Sequence, residues 1–444
     1  MMPFEPYFQE NIISTIYRNF SYYLTYQNWF AIWCGIMVVL YIIYRLLHSG
    51  IKQPVSPYFP TDKFSFNNYY LFDWFGLALC CGAIILYSSA MLLSEASLFN
   101  NVDMMSVNTI GIFKNGVTPY FHLKDRLSPL GGVDLNIVYA LSHHFYLHAF
   151  YVFCQLLLIV YMLYRLTDFI PVFQRFLMLT TIVMLPSFFG INLIVYPERL
   201  LFIWVLCSLI YAKKFSLSGD KSALWFFVLF MNIAFYTKET IILLYVGLLI
   251  ALILADIWNE KITLSSFIHP FKTMQKLPLE TLIFFSALAF ALLFLWTASG
   301  IIQNEYAALR IKTIEETVYF YRYEIAIAFI ALLTSLFNIN KKMFLFQEGL
   351  LFGCFFSMFF IICILKVVPC FYSYENKTYY LLLPTVFCLY YIFCNIKNNK
   401  IIVFFSVIFL AWAGNVDYQN HQNESGKIYR ETAEKFQYIF YIVK

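Results

Sequence analysis

The chain has 444 residues, 61% hydrophobic, 21% aromatic and 12% charged, with a formal net charge of +5 and a mean hydropathy of +0.70. Soluble domains carry about 25% charged residues, so there is too little polar surface here to face water all round, and an all-α polytopic membrane protein is expected. At about 20 apolar residues per spanning helix, the length holds roughly ten to thirteen transmembrane helices and excludes a large soluble catalytic domain.

Residues 1–28 are polar and aromatic, unlike the basic segment and apolar core of a cleavable signal, so the first apolar run is expected to act as signal and anchor. Apolar runs predict helices over 29–47, 73–94, 146–165, 175–195, 200–213, 222–237, 240–257, 281–298, 324–338, 349–367, 378–394 and 401–413. Several are too short to cross the hydrocarbon core unaided and predict half-helices or interfacial pieces. Lys and Arg are retained on the cytoplasmic side. Short loops holding Arg45, Lys52, Lys213, Lys214, Lys341 and Lys342 therefore mark the inner face. The expected organisation is an extracytoplasmic segment 1–28, two helices within 29–94, a long outer loop 95–145, a helix bundle 146–413 with an outer loop 299–323, and an extracytoplasmic tail 414–444. No internal repeat is evident, which counts against a transporter of duplicated halves.

The ten cysteines lie almost entirely in apolar runs and form no CxxC pair, so they read as small packing residues. His143, His144 and His148 cluster near a helix entry, but the spaced carboxylates of a metal site are missing from the pattern, and interfacial hydrogen bonding is expected of them. Sequons at Asn19, Asn376 and Asn423 all fall on the expected outer side.

Carboxylates gather on that side, Glu198 and Glu239 among them. The outer loop 95–145 places Asp103 just after an apolar helix. Lys114-Asn115-Gly116 follows as a stop signal, then the extended Thr118-Pro119-Tyr120 and the turn Ser128-Pro129-Leu130-Gly131-Gly132. Taken alone, Asp103 suits a helix cap as well as a catalyst. Further along stand Tyr196-Pro197-Glu198-Arg199, the turn Tyr236-Thr237-Lys238-Glu239-Thr240, and Tyr379-Tyr380-Leu381-Leu382-Leu383-Pro384. Local pairing would join Lys238 to Glu239 and Glu198 to Arg199.

These four segments, in this order, resemble the GT-C superfamily of membrane glycosyltransferases. The resemblance covers most of the chain, with Tyr379 where the family usually carries Arg. It implies transfer of a sugar from a polyprenyl-phosphate carrier to a surface polysaccharide, lipid or protein acceptor at the extracytoplasmic face, usually with inversion. It makes 95–145 the catalytic loop and Asp103 the general base, with Glu198 and Glu239 as second carboxylates. The donor phosphate would meet Lys238, Arg199, Arg310, Lys312 and Arg322. Tyr120, His122, Asp125 and Arg126 would contact sugar or acceptor, and outer tyrosines such as Tyr319, Tyr321 and Tyr323 would offer faces for stacking. A divalent metal is an open possibility, and nucleic acid is not expected. A bacterial inner membrane with undecaprenyl phosphate as carrier, in an O-antigen-modifying setting, is preferred over the endoplasmic reticulum. The alternatives are a lipid-linked oligosaccharide flippase or transporter, and an O-antigen polymerase.

Overall fold

The structure is a computed structural model and describes residues 29–48, 50, 59–60, 62–93, 130, 134, 138, 145–185, 188, 198–258, 269–298, 313–337, 346–365, 381–396 and 399–421. Every regular element among them is helical. In chain order they are α1 (Trp29–His48), α2 (Leu71–Leu93), α3 (Phe145–Leu166), α4 (Val172–Val183), α5 (Glu198–Ser218) and α6 (Lys221–Thr237). A 3-10 turn (Glu239–Ile241) leads into α7 (Ile242–Trp258), followed by α8 (Pro270–Lys276), α9 (Pro278–Ala298), α10 (Ile314–Phe320) and α11 (Arg322–Phe337). Next come α12 (Phe346–Phe359), which runs into a π-helical stretch Phe360–Leu365, α13 (Leu382–Asn395) and α14 (Asn399–His421).

Each apolar run of the sequence overlaps one of these helices, with instructive differences at the ends. The run 175–195 is broken, because α4 stops at Val183 and Leu185 is not helical. Leu185 precedes Pro186, whose ring disfavours helical backbone at the residue before it. The run 200–213 is instead part of a longer helix, since Lys213 and Lys214 continue α5 rather than end it. The last run reaches His421, inside the segment expected to be tail. Among the described residues, Glu198–Ser218, Glu239–Trp258 and Phe346–Ile364 are long and apolar enough to cross a membrane, and Pro270–Lys276 with Pro278–Phe294 passes as a fourth, bent by 109°.

The helices alternate in direction, so the molecule has two polar ends. At one, called the base, the Tyr44 hydroxyl of α1 donates to the Lys221 carbonyl at 3.0 Å and the Lys221 ammonium donates to the His48 carbonyl at 2.7 Å. Gln174, at the start of α4, donates to carbonyls of Phe393 and Ile396 at the end of α13. Buried basic groups at this end are met by oxygen. Lys213 pairs with Asp168 and donates to the Leu166 carbonyl at 3.0 Å, while Arg175 donates to Ile170 at 3.0 Å and to Phe64. A buried charge without such partners would cost several kcal/mol. The tight α5–α6 hairpin is turned by Gly219, at φ 67, and capped by Asp220, which accepts from the Ser222 amide at 2.9 Å.

Midway along, α7 and α12 touch through their glycines. A Cβ added at Gly247 would lie 2.7 Å from the Gly353 Cα, and one at Gly353 would strike the Leu244 carbonyl oxygen. Small residues let two helix backbones meet, which is the main means of packing where water supplies no hydrophobic drive. This crossing fixes Leu244 and Ser357 beside each other, one turn nearer the second end, called the crown.

Candidate functional site

At the crown, α6 closes with the Thr237 hydroxyl donating to the Ile233 carbonyl at 2.8 Å. Lys238 then adopts extended backbone (φ −157, ψ 124) and the chain re-enters helix immediately through the 3-10 turn. The reversal occupies a single residue. Its side chain is only 8% exposed, and a buried ammonium requires a counter-charge.

That counter-charge is Glu198, forty positions earlier and the first residue of α5. The N-terminal end of a helix favours a carboxylate. Glu198 is 4% exposed, its Oε1 takes the Lys238 ammonium, and its Oε2 is buried with no hydrogen-bond partner among the described residues. The pairing therefore crosses between elements, where adjacency in sequence suggests Lys238 with Glu239 and Glu198 with Arg199. Glu239 itself is buried in the 3-10 turn.

Arg199 is fully buried and donates from Nε to Gln155 Oε1 at 2.9 Å. Gln155 donates in turn to the Tyr151 hydroxyl at 2.7 Å and to Asp134 Oδ2 at 3.2 Å, and Tyr151 donates to the same oxygen at 2.8 Å. Asp134 Oδ1 is buried without a hydrogen-bond partner among the described residues. Leu130, Asp134 and Val138 are spaced by four, the interval that puts residues on one helical face, and the last two are helical. The Leu130 amide donates to the Tyr236 carbonyl at 2.9 Å. The end of the 95–145 loop is thus held against the Lys238 turn on one side and, through Asp134, against α3 and Arg199 on another.

A cavity of about 20 Å³ lies among Glu198, Lys238, Thr240, Ser357, Leu382 and Pro384. This is room for about one water molecule. Pro384 stands in the first turn of α13, where its missing amide proton leaves no helical bond unmade.

Of the sequence candidates, the structure therefore gathers Glu198, Arg199, Lys238 and Glu239. Arg322 lies at the start of α11, exposed, its guanidinium 4.4 Å from the Tyr319 ring and 4.5 Å from the Tyr323 ring. Tyr321 is wholly buried and offers no face to a sugar, a correction to its reading as an outer stacking residue. Asp103, Tyr120, His122, Asp125, Arg126, Arg310 and Lys312 lie outside the described residues, as do His143 and His144. Sequence reasoning missed Asp134, Tyr151 and Gln155 as a connected group. The usable signal was Gln155, an amide inside an apolar helix, where burial is costly unless it is bonded. Among the described residues no three His, Cys, Asp or Glu side chains gather as a metal site needs.

No family model, curated protein or solved structure matches the chain. Fold and site define a class: an all-helical protein with helices of membrane-crossing length that collects a buried ion pair and a carboxylate–tyrosine–glutamine–arginine chain at one end.

Proposed function

We propose that the chain is a GT-C-type membrane glycosyltransferase, moving a sugar from a polyprenyl-phosphate carrier to a polysaccharide, lipid or protein acceptor at the extracytoplasmic face, with inversion. The observation that supports this most is convergence. Segments that resemble the family, far apart in sequence, share the crown: the turn before α3 bonds to the Lys238 hairpin, Glu198 pairs with Lys238, and the start of α13 closes their cavity.

In this reading Asp103 takes the proton of the attacking hydroxyl, a contribution of about 10²–10⁴ in rate for a positioned base. Departure of the carrier phosphate needs nearby positive charge. Lys238 supplies it, with Glu198 and the Gln155–Arg199 bond keeping the two cations in place while the site is empty. Arg310, Lys312 and Arg322 would meet the carrier headgroup. The setting is a bacterial inner membrane with undecaprenyl phosphate as the carrier. The buried ionisable groups of the crown favour a transferase over a flippase, because Glu198 and Glu239 stand in the first turns of their elements and Lys238 in the turn between two helices. A transporter is expected to hold such groups mid-membrane in broken helices.

The test is incubation of the purified chain with short-chain polyprenyl-phosphate sugars, with and without EDTA, reading release of polyprenyl phosphate. Release that disappears in Asp103→Asn, with the variant still folded in the membrane, supports the reading. Carrier movement across vesicles without turnover of any donor would replace it with the flippase.

A further inference from the structure

Glu324 heads the packed stripe of α11. Glu324, Ile327, Ala328 and Ala331 are buried at the spacing of one helical face, so the carboxyl is turned into the bundle, and the residue is only 5% exposed. With 16 residues, α11 falls short of the about 20 of a full span. It packs mainly on α13, where Ser335 lies beside the Tyr391 hydroxyl. At 1.5 Å per residue, Glu324 stands about 16 Å nearer the crown than Ser335, level with the first turn of α13. That turn also walls the cavity at Glu198 and Lys238.

The other buried acids described at the crown have partners: Glu198 meets Lys238, and Asp134 meets Tyr151 and Gln155. The helices that pack most on α11 bring no cation to Glu324. α13 has no charged residue, α12 has only Glu348, in its first turn at the far end, and α10 has Glu315 and Glu316, both exposed. The polar groups near the Glu324 carboxyl are its own backbone amide and Arg322. Arg322 precedes it by two positions, which on a helix turns the side chain to the opposite side; it is exposed, against the rings of Tyr319 and Tyr323. The Oε2 atom of Glu324 is buried with no hydrogen-bond partner among the described residues.

A buried carboxyl without a counter-charge takes up a proton rather than remain ionised. A metal ion would need several oxygens around it, whereas this face of α11 offers Ile327, Ala328 and Ala331. We propose that Glu324 is a proton-binding site: it holds the acid form at neutral pH while α11 is packed, and ionises when the top of this helix meets water. Release passes one proton to water and leaves one carboxylate. One proton is thereby linked to the packing of α11 against α13 at the edge of the crown. The inference does not depend on the transferase reading.

The sign of the pH effect follows. Above the ordinary range of a glutamate the unfolded chain has lost this proton and the folded chain keeps it, so this contribution to stability falls as pH rises. Glu324→Gln and Glu324→Leu bind no proton in either state and remove that slope; either one suffices for the comparison. Infrared spectra of the purified full chain at neutral pH should show a carboxylic-acid C=O band that the variants lose. The thermal unfolding midpoint of the wild type should fall, relative to the variants, from mildly acidic to mildly alkaline pH. If the variants remove only the bands of an ionised carboxylate, a cation meets Glu324 and the proposal is overturned. The same pH dependence in wild type and variants overturns it too.

Discussion

Lys238 carries charge into a turn that buries it, and Glu198 is what makes that tolerable. Lys238→Met strands a buried carboxylate and should lower stability by about 3–5 kcal/mol, read as thermal unfolding in detergent. Adding Glu198→Gln should recover most of that loss, because removing both partners of a buried pair is often close to neutral. A double variant as unstable as the single one would show that the pair does not account for the loss. The lysine was legible in the sequence, since a cation in a short turn between two apolar helices is expensive enough to need a reason. Its partner was not. Adjacency offers Glu239, and only the packing of α5 beside α6 brings a side chain forty positions away into reach. Asp134 was hidden likewise, as its significance lies in Tyr151 and Gln155 on another helix.

Helices were the most readable level, because a run of apolar side chains long enough for a membrane leaves few alternatives. Their ends were less so. α5 passes through Lys213 and Lys214 because one ammonium is taken by Asp168 and the other by Asp220 at 2.7 Å, an arrangement set by the neighbouring loop and hairpin. The hydrogen bond from Lys214, with the Ser222 amide, holds the Asp220 carboxyl below its ordinary value of 3.8. A depressed folded-state value means that this contribution is present above the ordinary value and is lost as pH falls through the lowered one. Asp220→Asn should therefore flatten the acid side of the stability–pH curve, while leaving the curve near neutrality shifted by a small, salt-sensitive amount. The α7–α12 crossing was invisible in sequence, as Gly247 and Gly353 stand among many apolar residues. Gly353→Ala drives a methyl group into the Leu244 carbonyl and should cost about 1–3 kcal/mol. The control is Gly35→Ala, whose Cβ meets nothing within 4 Å and should stay within about 0.5 kcal/mol of wild type.

Over the whole molecule, alternating helices sort the few charges into two ends with different company. The base meets its cations with carbonyl oxygens and nearby carboxylates, and the crown meets Lys238 with Glu198 and Arg199 with Gln155. The crown is where the transferase reading stands or falls. Asp103→Asn should remove transfer without changing the unfolding midpoint by more than about 0.5 kcal/mol equivalent, whereas Lys238→Met should lose both. Alternation itself was legible from run count and loop lengths. Which loop returns to which turn was not, because that is decided by single bonds such as Leu130 to Tyr236.

That bond has a kinetic consequence. The Leu130 amide proton is shielded while its acceptor is the Tyr236 carbonyl, so it exchanges with deuterium only when the loop lifts from the hairpin. The deuterium uptake rate at this one amide therefore reports how often the contact between Leu130 and the end of α6 breaks. A ligand that bridges the two should slow it, and Leu130→Pro, which removes the amide proton, should abolish the contact.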